Sequence, residues 1–111
     1  MPNFRLYYRD VLVGVIKNPF YSDDTWFGTF ELGTEGRYAE LERRVTDYIH
    51  FVEDWNERVR RDDPADPGEF EQYSDLVQSG LWSTKDEGGV VSAIAEAPVF
   101  FRGGDISWRM T

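Results

Sequence analysis

Polar and apolar positions alternate through the first third of the chain, as they do in strands that bury one face. The stretch FRLYYRDVLVGVIK, at residues 4–17, predicts a β-hairpin with a two-residue turn at Arg9-Asp10. That turn places three apolar pairs on one face: Tyr8 opposite Val11, Leu6 opposite Val13, and Phe4 opposite Val15. Because Arg9-Asp10 is not a favoured turn sequence, this pairing depends mainly on the alternation.

A third strand is predicted over TWFGTFEL, residues 25–32, after loops at Asn18-Pro19 and at residues 22–24. Alternation assigns the two faces of this strand. One face carries Trp26, Gly28, Phe30 and Leu32, and the other carries Phe27, Thr29 and Glu31. Gly28 inside the strand indicates a bulge or a close backbone contact.

The apolar period becomes helical between Arg37 and Arg61. Apolar residues recur there at intervals of three and four positions: Tyr38, Leu41, Val45, Tyr48, Val52, Trp55 and Val59. This spacing predicts one long amphipathic helix. Thr34 is its predicted N-cap, and Asp62-Asp63-Pro64 ends it because a residue before proline disfavours helical geometry.

The rest of the chain predicts a second helix and further strands. An acidic linker, DDPADPGEF, leads into a predicted helix over residues 68–80, whose apolar face carries Phe70, Tyr73, Leu76 and Val77. LWSTK and VVSAIAEAP, at 81–85 and 90–98, are predicted strands. VFFRGGDISWRM predicts a closing hairpin around Gly103-Gly104, in which Phe101 faces Ile106, Val99 faces Trp108, and Arg102 faces Asp105.

These elements predict an α+β fold in the order β-β-β-α-α-β-β-β. An antiparallel sheet of five to six strands would carry the long amphipathic helix on one face. The 111 residues suit a single domain spanning 1–111.

The composition narrows the classes of function. With a net charge of −9, the surface would repel nucleic-acid phosphates and anionic lipid, so neither nucleic acid nor a membrane is expected as a partner. The chain has no cysteine, which excludes disulfides and thiolate chemistry. No stretch has the length of a signal peptide or a membrane span, and we expect a cytoplasmic protein.

Catalytic and metal-binding residue sets are scarce. His50 is the only histidine, and helical projection places it opposite the apolar stripe, on an outer face crossed by ion pairs. A catalytic triad would therefore have to depend on His50, and neither a phosphate-binding loop nor an EF-hand spacing is present. We predict no catalytic residue, no metal site and no cofactor.

The stretch PFYSDDTWFGTF carries the most interpretable candidate site. Adjacent carboxylates at Asp23 and Asp24 are typical of a turn, and aromatic residues beside them are typical of a binding edge. The candidate binding residues are Tyr21, Asp23, Asp24, Trp26 and Phe27. The alternative is a carboxylate-using enzyme or ligand-binding domain, because paired carboxylates can separate their pKa values for acid–base work.

Two stretches, LVGVIKNPFYSDDTWFGTFEL and APVFFRGGDISWRM, resemble a recurring type of small, uncharacterised bacterial protein. The resemblance implies an α+β domain and no assigned activity. Some immunity proteins that neutralise bacterial toxins are similar in being small, acidic and poor in cysteine. We therefore expect an acidic, non-enzymatic binding protein that recognises a basic protein partner, as a monomer or weak homodimer.

Overall fold

A computed structural model describes residues 3–78 and 80–110 and shows an α+β fold with one long helix. Three strands come first: β1 (Phe4–Tyr8), β2 (Val11–Ser22) and β3 (Thr25–Leu32). The helical part comprises α1 (Ala39–Arg60), a 3₁₀ helix (Pro67–Tyr73) and α2 (Ser74–Val77). Four strands follow: β4 (Trp82–Lys85), β5 (Val91–Ala93), β6 (Val99–Phe100) and β7 (Asp105–Trp108). The sheet thus has seven strands, and the expected five to six is wrong because four strands, not two or three, follow the helices.

The sheet has the order β5-β4-β1-β2-β3-β7-β6, and all neighbouring strands are antiparallel. The strands β5 and β6 lie at opposite edges although they are close in sequence. The segment that joins β5 to β6 pairs with the residues that follow β7. In this segment Ile94 forms a bridge with Met110, and the Ala95 N–H donates to the Arg109 carbonyl at 2.8 Å. One short segment therefore connects the two edges, and the sheet curls around its core.

The first hairpin turns at Arg9-Asp10 as predicted, but its register beyond the turn is different. A bulge in β2, opposite Leu6 and Tyr7, adds one residue to that strand. An added residue sends every later side chain to the other face. The predicted pairs of Leu6 with Val13 and Phe4 with Val15 are therefore wrong: Leu6 pairs with Gly14, and Phe4 pairs with Ile16.

Glycine is required beside the bulge because the neighbouring strand β3 lies too close for a side chain. A Cβ atom on Gly14 would clash with the carbonyl oxygen of Glu31 in β3. The next residue along the buried face is Ile16, which is fully buried, whereas Val15 is half-buried.

The closing hairpin is displaced by one residue from its predicted register. The Phe101 N–H donates to the Asp105 carbonyl at 2.9 Å, so the loop holds three residues instead of two. Phe100 pairs with Ile106 and is buried, while Val99 and Phe101 are exposed. The expected facing pairs Phe101–Ile106 and Val99–Trp108 are therefore wrong. Arg102 forms its ion pair with Asp54 of α1, at 3.4 Å, rather than with Asp105.

The apolar stripe of α1 packs on the sheet as predicted. Its buried side chains include Val45, Tyr48, Ile49 and Val52. Trp82 and Trp108 belong to the same core, and the indole N–H of Trp82 donates to the Leu76 carbonyl at 2.9 Å. That bond attaches α2 to the sheet.

The ends of the helices differ from prediction in detail. Thr34 does not cap α1, because the helix begins at Ala39, and the buried Glu42 carboxylate instead accepts the Gly36 N–H at 3.0 Å. The helix predicted over 68–80 divides into the 3₁₀ helix and α2. Its predicted final turn includes Ser79, which lies outside the described residues. The four residues of its predicted apolar face all contribute to the core: Phe70, Tyr73, Leu76 and Val77.

Candidate functional site

The β2–β3 hairpin ends in the turn that the carboxylate pair predicts. Asp23 and Asp24 have φ angles of 51° and 63°, the left-handed geometry of a two-residue hairpin turn. Tyr21 lies across the hairpin from Trp26, and its hydroxyl donates to Asp24 Oδ1 at 3.0 Å. This hydrogen bond raises the pKa of Tyr21, because the carboxylate stabilises the protonated hydroxyl.

The five predicted site residues do not form one site. Adjacent residues in a strand point to opposite faces, so Trp26 and Phe27 separate. Trp26 turns inward, where its ring stacks on Trp108 with centroids 6.0 Å apart and meets the Phe4 ring edge-on at 5.5 Å. Phe27 instead stacks on Phe20, at 5.2 Å and 20°.

The two carboxylates of the turn also serve different surroundings. Asp24 lines a cleft of about 330 Å³ with Tyr21, Glu96 and Arg109, whereas Asp23 does not line it. A carboxylate pair that shares a proton must face one cavity. The described geometry therefore supports the turn interpretation over acid–base chemistry.

A larger groove opens beside Phe27, where the end of α1 approaches the hairpin. It has a volume of about 870 Å³. Its apolar surface is formed by Phe20, Phe27, Val59 and Phe101, and we call it the phenylalanine groove. Phe20 is 55% exposed, Val59 50% and Phe101 38%. Large apolar side chains grouped at this exposure are typical of interaction surfaces.

Local backbone geometry exposes Phe20. The pairing of β2 with β3 is interrupted between Lys17 and Phe20, and Asn18 there has a φ of 51°. Asn18-Pro19 is therefore an irregularity inside β2, and the loop predicted there is wrong. Pro19 is buried, so that the next residue, Phe20, points to the opposite side.

Phe20 and Phe101 are not among the predicted site residues, for two different reasons. Phe20 follows Asn18-Pro19, and alternation is not informative inside a predicted loop. The predicted register of the closing hairpin places Phe101 opposite Ile106, on the apolar face of the hairpin. The signal that could have identified Phe101 was the length of the turn at Gly103-Gly104. A loop of three residues instead of two shifts the register by one position, and this shift exposes Phe101.

Charged side chains surround the phenylalanine groove. Glu57 and Arg60 form an ion pair on α1, and Arg102 and Asp105 border the opposite side. The Arg60 guanidinium holds the pKa of Glu57 below its usual value. A polar rim around an apolar centre is the usual anatomy of a protein interface.

The acidity of the chain is concentrated in its helical part, whose long helix α1 contributes Glu57, Val59 and Arg60 to the groove. Residues 39–77, which comprise α1, the linker and the two short helices, hold twelve of the 21 acidic residues and five of the 12 basic ones. This acidic helical segment therefore carries a formal charge of −7 out of −9. Several of its carboxylates are exposed and form no ion pair within the described chain: Glu40, Asp47, Asp62 and Glu71.

His50 lies on the outer face of α1, as predicted, and its ring nitrogen Nδ1 is 3.2 Å from Glu53. Across residues 3–78 and 80–110, no three His, Asp or Glu side chains converge to hold a metal ion. None of the described helices combines the length and the apolar composition needed to cross a bilayer.

The comparisons with known proteins give no assignment. No protein-family model matches the chain, and neither a curated protein nor a solved structure matches it. The resemblance to small bacterial proteins therefore stays a prediction.

Proposed function

We propose that this chain is a non-enzymatic binding protein that recognises a basic protein partner through the phenylalanine groove. The observation that carries the proposal is an exposed apolar groove whose wall includes the end of α1, the long helix of the acidic helical segment. The first feature would supply contact area, and the second would select the charge of the partner.

The apolar contribution comes from side chains that pack poorly in the free protein. Phe20 and Phe27 stack on each other, but Phe20 keeps 55% of its surface in water. Aromatic residues at the centre of an interface provide most of its binding energy when a partner buries them. Each fully buried large apolar side chain contributes about 1.5–3 kcal/mol relative to the exposed state.

The electrostatic contribution concerns selection and rate. A segment with a formal charge of −7 attracts a basic partner and repels an acidic one. Such attraction mainly raises the association rate, and salt screens it over about 8–10 Å. In an immunity-like role in the bacterial cytoplasm, the chain would cover a basic surface of a toxin.

The alternative of a carboxylate-using enzyme or ligand-binding domain has weaker support. It requires Asp23 and Asp24 to act together, and of these two only Asp24 lines the cleft with Tyr21. Self-association through sheet edges is also limited, because the edge strands β5 and β6 have three and two residues. A monomer or weak homodimer stays the prediction.

The test is capture of a partner at low salt, with the purified chain as bait in a lysate of the organism that encodes it. The groove variant Phe20→Ser/Phe101→Ser loses two apolar anchors. It should therefore capture less of a basic partner than the wild type, by a factor of about ten or more. The matched control is Val90→Ser/Val91→Ser, since these valines are 61% and 64% exposed and do not line the groove.

The captured protein is then purified and its association with the chain is timed by stopped-flow fluorescence. Association that slows with added salt supports the proposal. Equal capture by the groove variant and the valine control would contradict the role of the groove, and salt-independent association would contradict the role of charge.

A further inference from the structure

Four charged residues of the described chain line the phenylalanine groove, and three of them already have partners. Glu57 accepts two hydrogen bonds from the Arg60 guanidinium, one of them from Nε at 3.1 Å. Arg102 reaches Asp54 of α1, with its Nη2 3.4 Å from Oδ1. Asp105 is exposed and forms neither an ion pair nor a side-chain hydrogen bond with the described residues. The groove therefore has one carboxylate whose charge no neighbouring side chain compensates.

The strand register places this carboxylate between two aromatic residues of the groove. Asp105 of β7 pairs with Thr29 of β3, and Ser107 pairs with Phe27 two positions along. Residues two positions apart in a strand share a face, so Phe27 is a diagonal neighbour of Asp105, at about 7–8 Å. On the other side, the Phe101 N–H donates to the Asp105 carbonyl, which sets these two residues opposite each other. Asp105 thus has a phenylalanine on each flank.

The flanking phenylalanines are open to a further contact. Phe101 is 38% exposed, and no other aromatic ring packs on it within the described chain. Phe27 is half-buried and stacks on Phe20, and Phe20 is itself 55% exposed. A molecule that enters the groove therefore meets aromatic surface and a negative charge together.

These groups favour a guanidinium over other chemical groups. A carboxylate can accept two parallel hydrogen bonds from arginine, whose planar group also stacks on aromatic rings. A lysine ammonium is a compact, strongly hydrated charge that lacks this flat shape. The Asp105 carboxylate would repel an anion, and a purely apolar side chain over it would bury its charge without a partner, which is costly.

We propose that the phenylalanine groove binds an arginine side chain of the basic partner, whose guanidinium pairs with Asp105 between Phe27 and Phe101. An apolar side chain beside that arginine covers Phe20. This inference rests on the proposed function, since it names the partner side chain that the groove selects. It adds a local charge preference, which depends on one carboxylate of the groove and not on the acidic helical segment as a whole.

The test uses three capped tripeptides with leucine at both ends and arginine, lysine or citrulline in the centre. Citrulline has nearly the shape of arginine but carries no charge. Binding to the full chain is followed by NMR through the shifts of the phenylalanine ring protons. We expect the arginine peptide to bind about two- to fivefold more tightly than the citrulline peptide, the range of a partly exposed ion pair. The lysine peptide should also bind more weakly than the arginine peptide.

Asp105→Asn removes the charge with little change in shape. It should weaken the arginine peptide about two- to fivefold and leave the citrulline peptide unchanged. Asp47→Asn is the matched control, because Asp47 is an exposed carboxylate without an ion pair in the described chain and lies outside the groove, and it should leave all three peptides unchanged. Phe20→Ser should weaken all three peptides, because it removes apolar contact. Circular dichroism and thermal unfolding establish that each variant is folded.

Three results would overturn the arginine inference: no saturable binding of the arginine peptide, equal binding of the arginine peptide and either other peptide, or an unchanged preference in Asp105→Asn. Capture of the partner separates this failure from that of the proposed function. If Phe20→Ser/Phe101→Ser loses the partner but Asp105→Asn captures as much as Asp47→Asn, the proposed function stands and the arginine inference is wrong. Equal capture by the groove variant and the wild type would contradict the proposed function itself.

Discussion

Two aromatic pairs in different parts of the sheet make similar ring contacts but differ in their exposure to solvent. Near β1 and β4, Tyr8 and Trp82 pack with their ring centroids 5.1 Å apart and are both buried. At the far end of the β2–β3 hairpin, Phe20 and Phe27 stack at almost the same distance, 5.2 Å, yet Phe20 is 55% exposed. Ring contact alone therefore does not distinguish a core pair from a surface pair.

The difference arises from what covers each pair. Tyr48 of α1 packs on Trp82, and the Leu76 carbonyl of α2 accepts a hydrogen bond from the indole N–H of Trp82. Beyond Ile16, β2 pairs only with β3 within the described chain, because β1 begins at Phe4, opposite Ile16. The hairpin end thus extends past the layer that buries the rest of the sheet, and its outward aromatic residues are available to another molecule.

The largest expected effect contrasts the two aromatic pairs directly. Trp82→Ala should lower the free energy of unfolding by about 3–5 kcal/mol, because it leaves a cavity in the core. Phe20→Ala should lower it by less than about 1 kcal/mol, because much of that ring is already hydrated. Guanidinium denaturation measures both values, and similar losses would show that the hairpin end belongs to the core.

A second effect concerns the close contact between β2 and β3 that supports the hairpin. Gly14→Ala should destabilise the protein by about 1–3 kcal/mol, since the added carbon would meet the Glu31 carbonyl and the backbone must move. Gly33→Ala is the control, because a Cβ at Gly33 meets nothing within 4 Å. Equal stability of the two variants in denaturant would mean that the strands separate easily at the bulge.

A smaller effect separates the turn from the groove. The double change Asp23→Asn/Asp24→Gly supplies the favoured two-residue hairpin turn and should stabilise the protein by up to about 1 kcal/mol. Thermal unfolding measures the gain. Partner capture should be unchanged, since neither side chain lines the phenylalanine groove. Loss of partner capture would show that the carboxylates of Asp23 and Asp24 take part in binding.

The smallest effect concerns pH and the covered end of the sheet. Arg44 forms an ion pair with Asp75, and this contact holds the pKa of Asp75 below its ordinary value. A carboxylate with a lowered pKa in the folded state stabilises the fold above its unfolded pKa, and this contribution is lost as pH falls through the folded pKa.

The wild type should lose free energy of unfolding as pH falls below about 4, and Arg44→Gln should lose less. The difference should be no more than about 1 kcal/mol, because the pair is exposed. Arg43→Gln is the control, because Arg43 forms no ion pair with the described residues. Urea denaturation at a series of pH values gives the slopes, and identical slopes for wild type and Arg44→Gln would contradict the role of the pair.

Local patterns were sufficient for the long helix and for the existence of the first three strands. The three- and four-residue spacing predicted α1 within two residues at its start and one at its end, because an apolar stripe needs no information from the rest of the chain. Alternation predicted β1 to β3 for the same reason, but it did not predict that the face of β3 with Trp26 turns inward. The concentration of acidic residues in 39–77 is likewise present in the sequence.

Register and surface required the tertiary structure. The bulge at Gly14 and the three-residue loop before Asp105 each change a pairing by one position, and one position decides which face is buried. Asp23 and Asp24 were correctly predicted to form a turn, but the stacking of Phe27 on Phe20 was not predicted, because Phe20 fell in a predicted loop.

The sequence by itself determined the long helix, the existence of the first three strands, the acidic charge and the absence of cysteine, because these follow from nearby residues or from composition. Only the tertiary structure decided which side chains meet at the phenylalanine groove. The groove combines the end of α1 with a segment more than thirty positions away in sequence, which contributes Phe101. Contacts of that range depend on the curl of the sheet, which short-range periodicity does not encode.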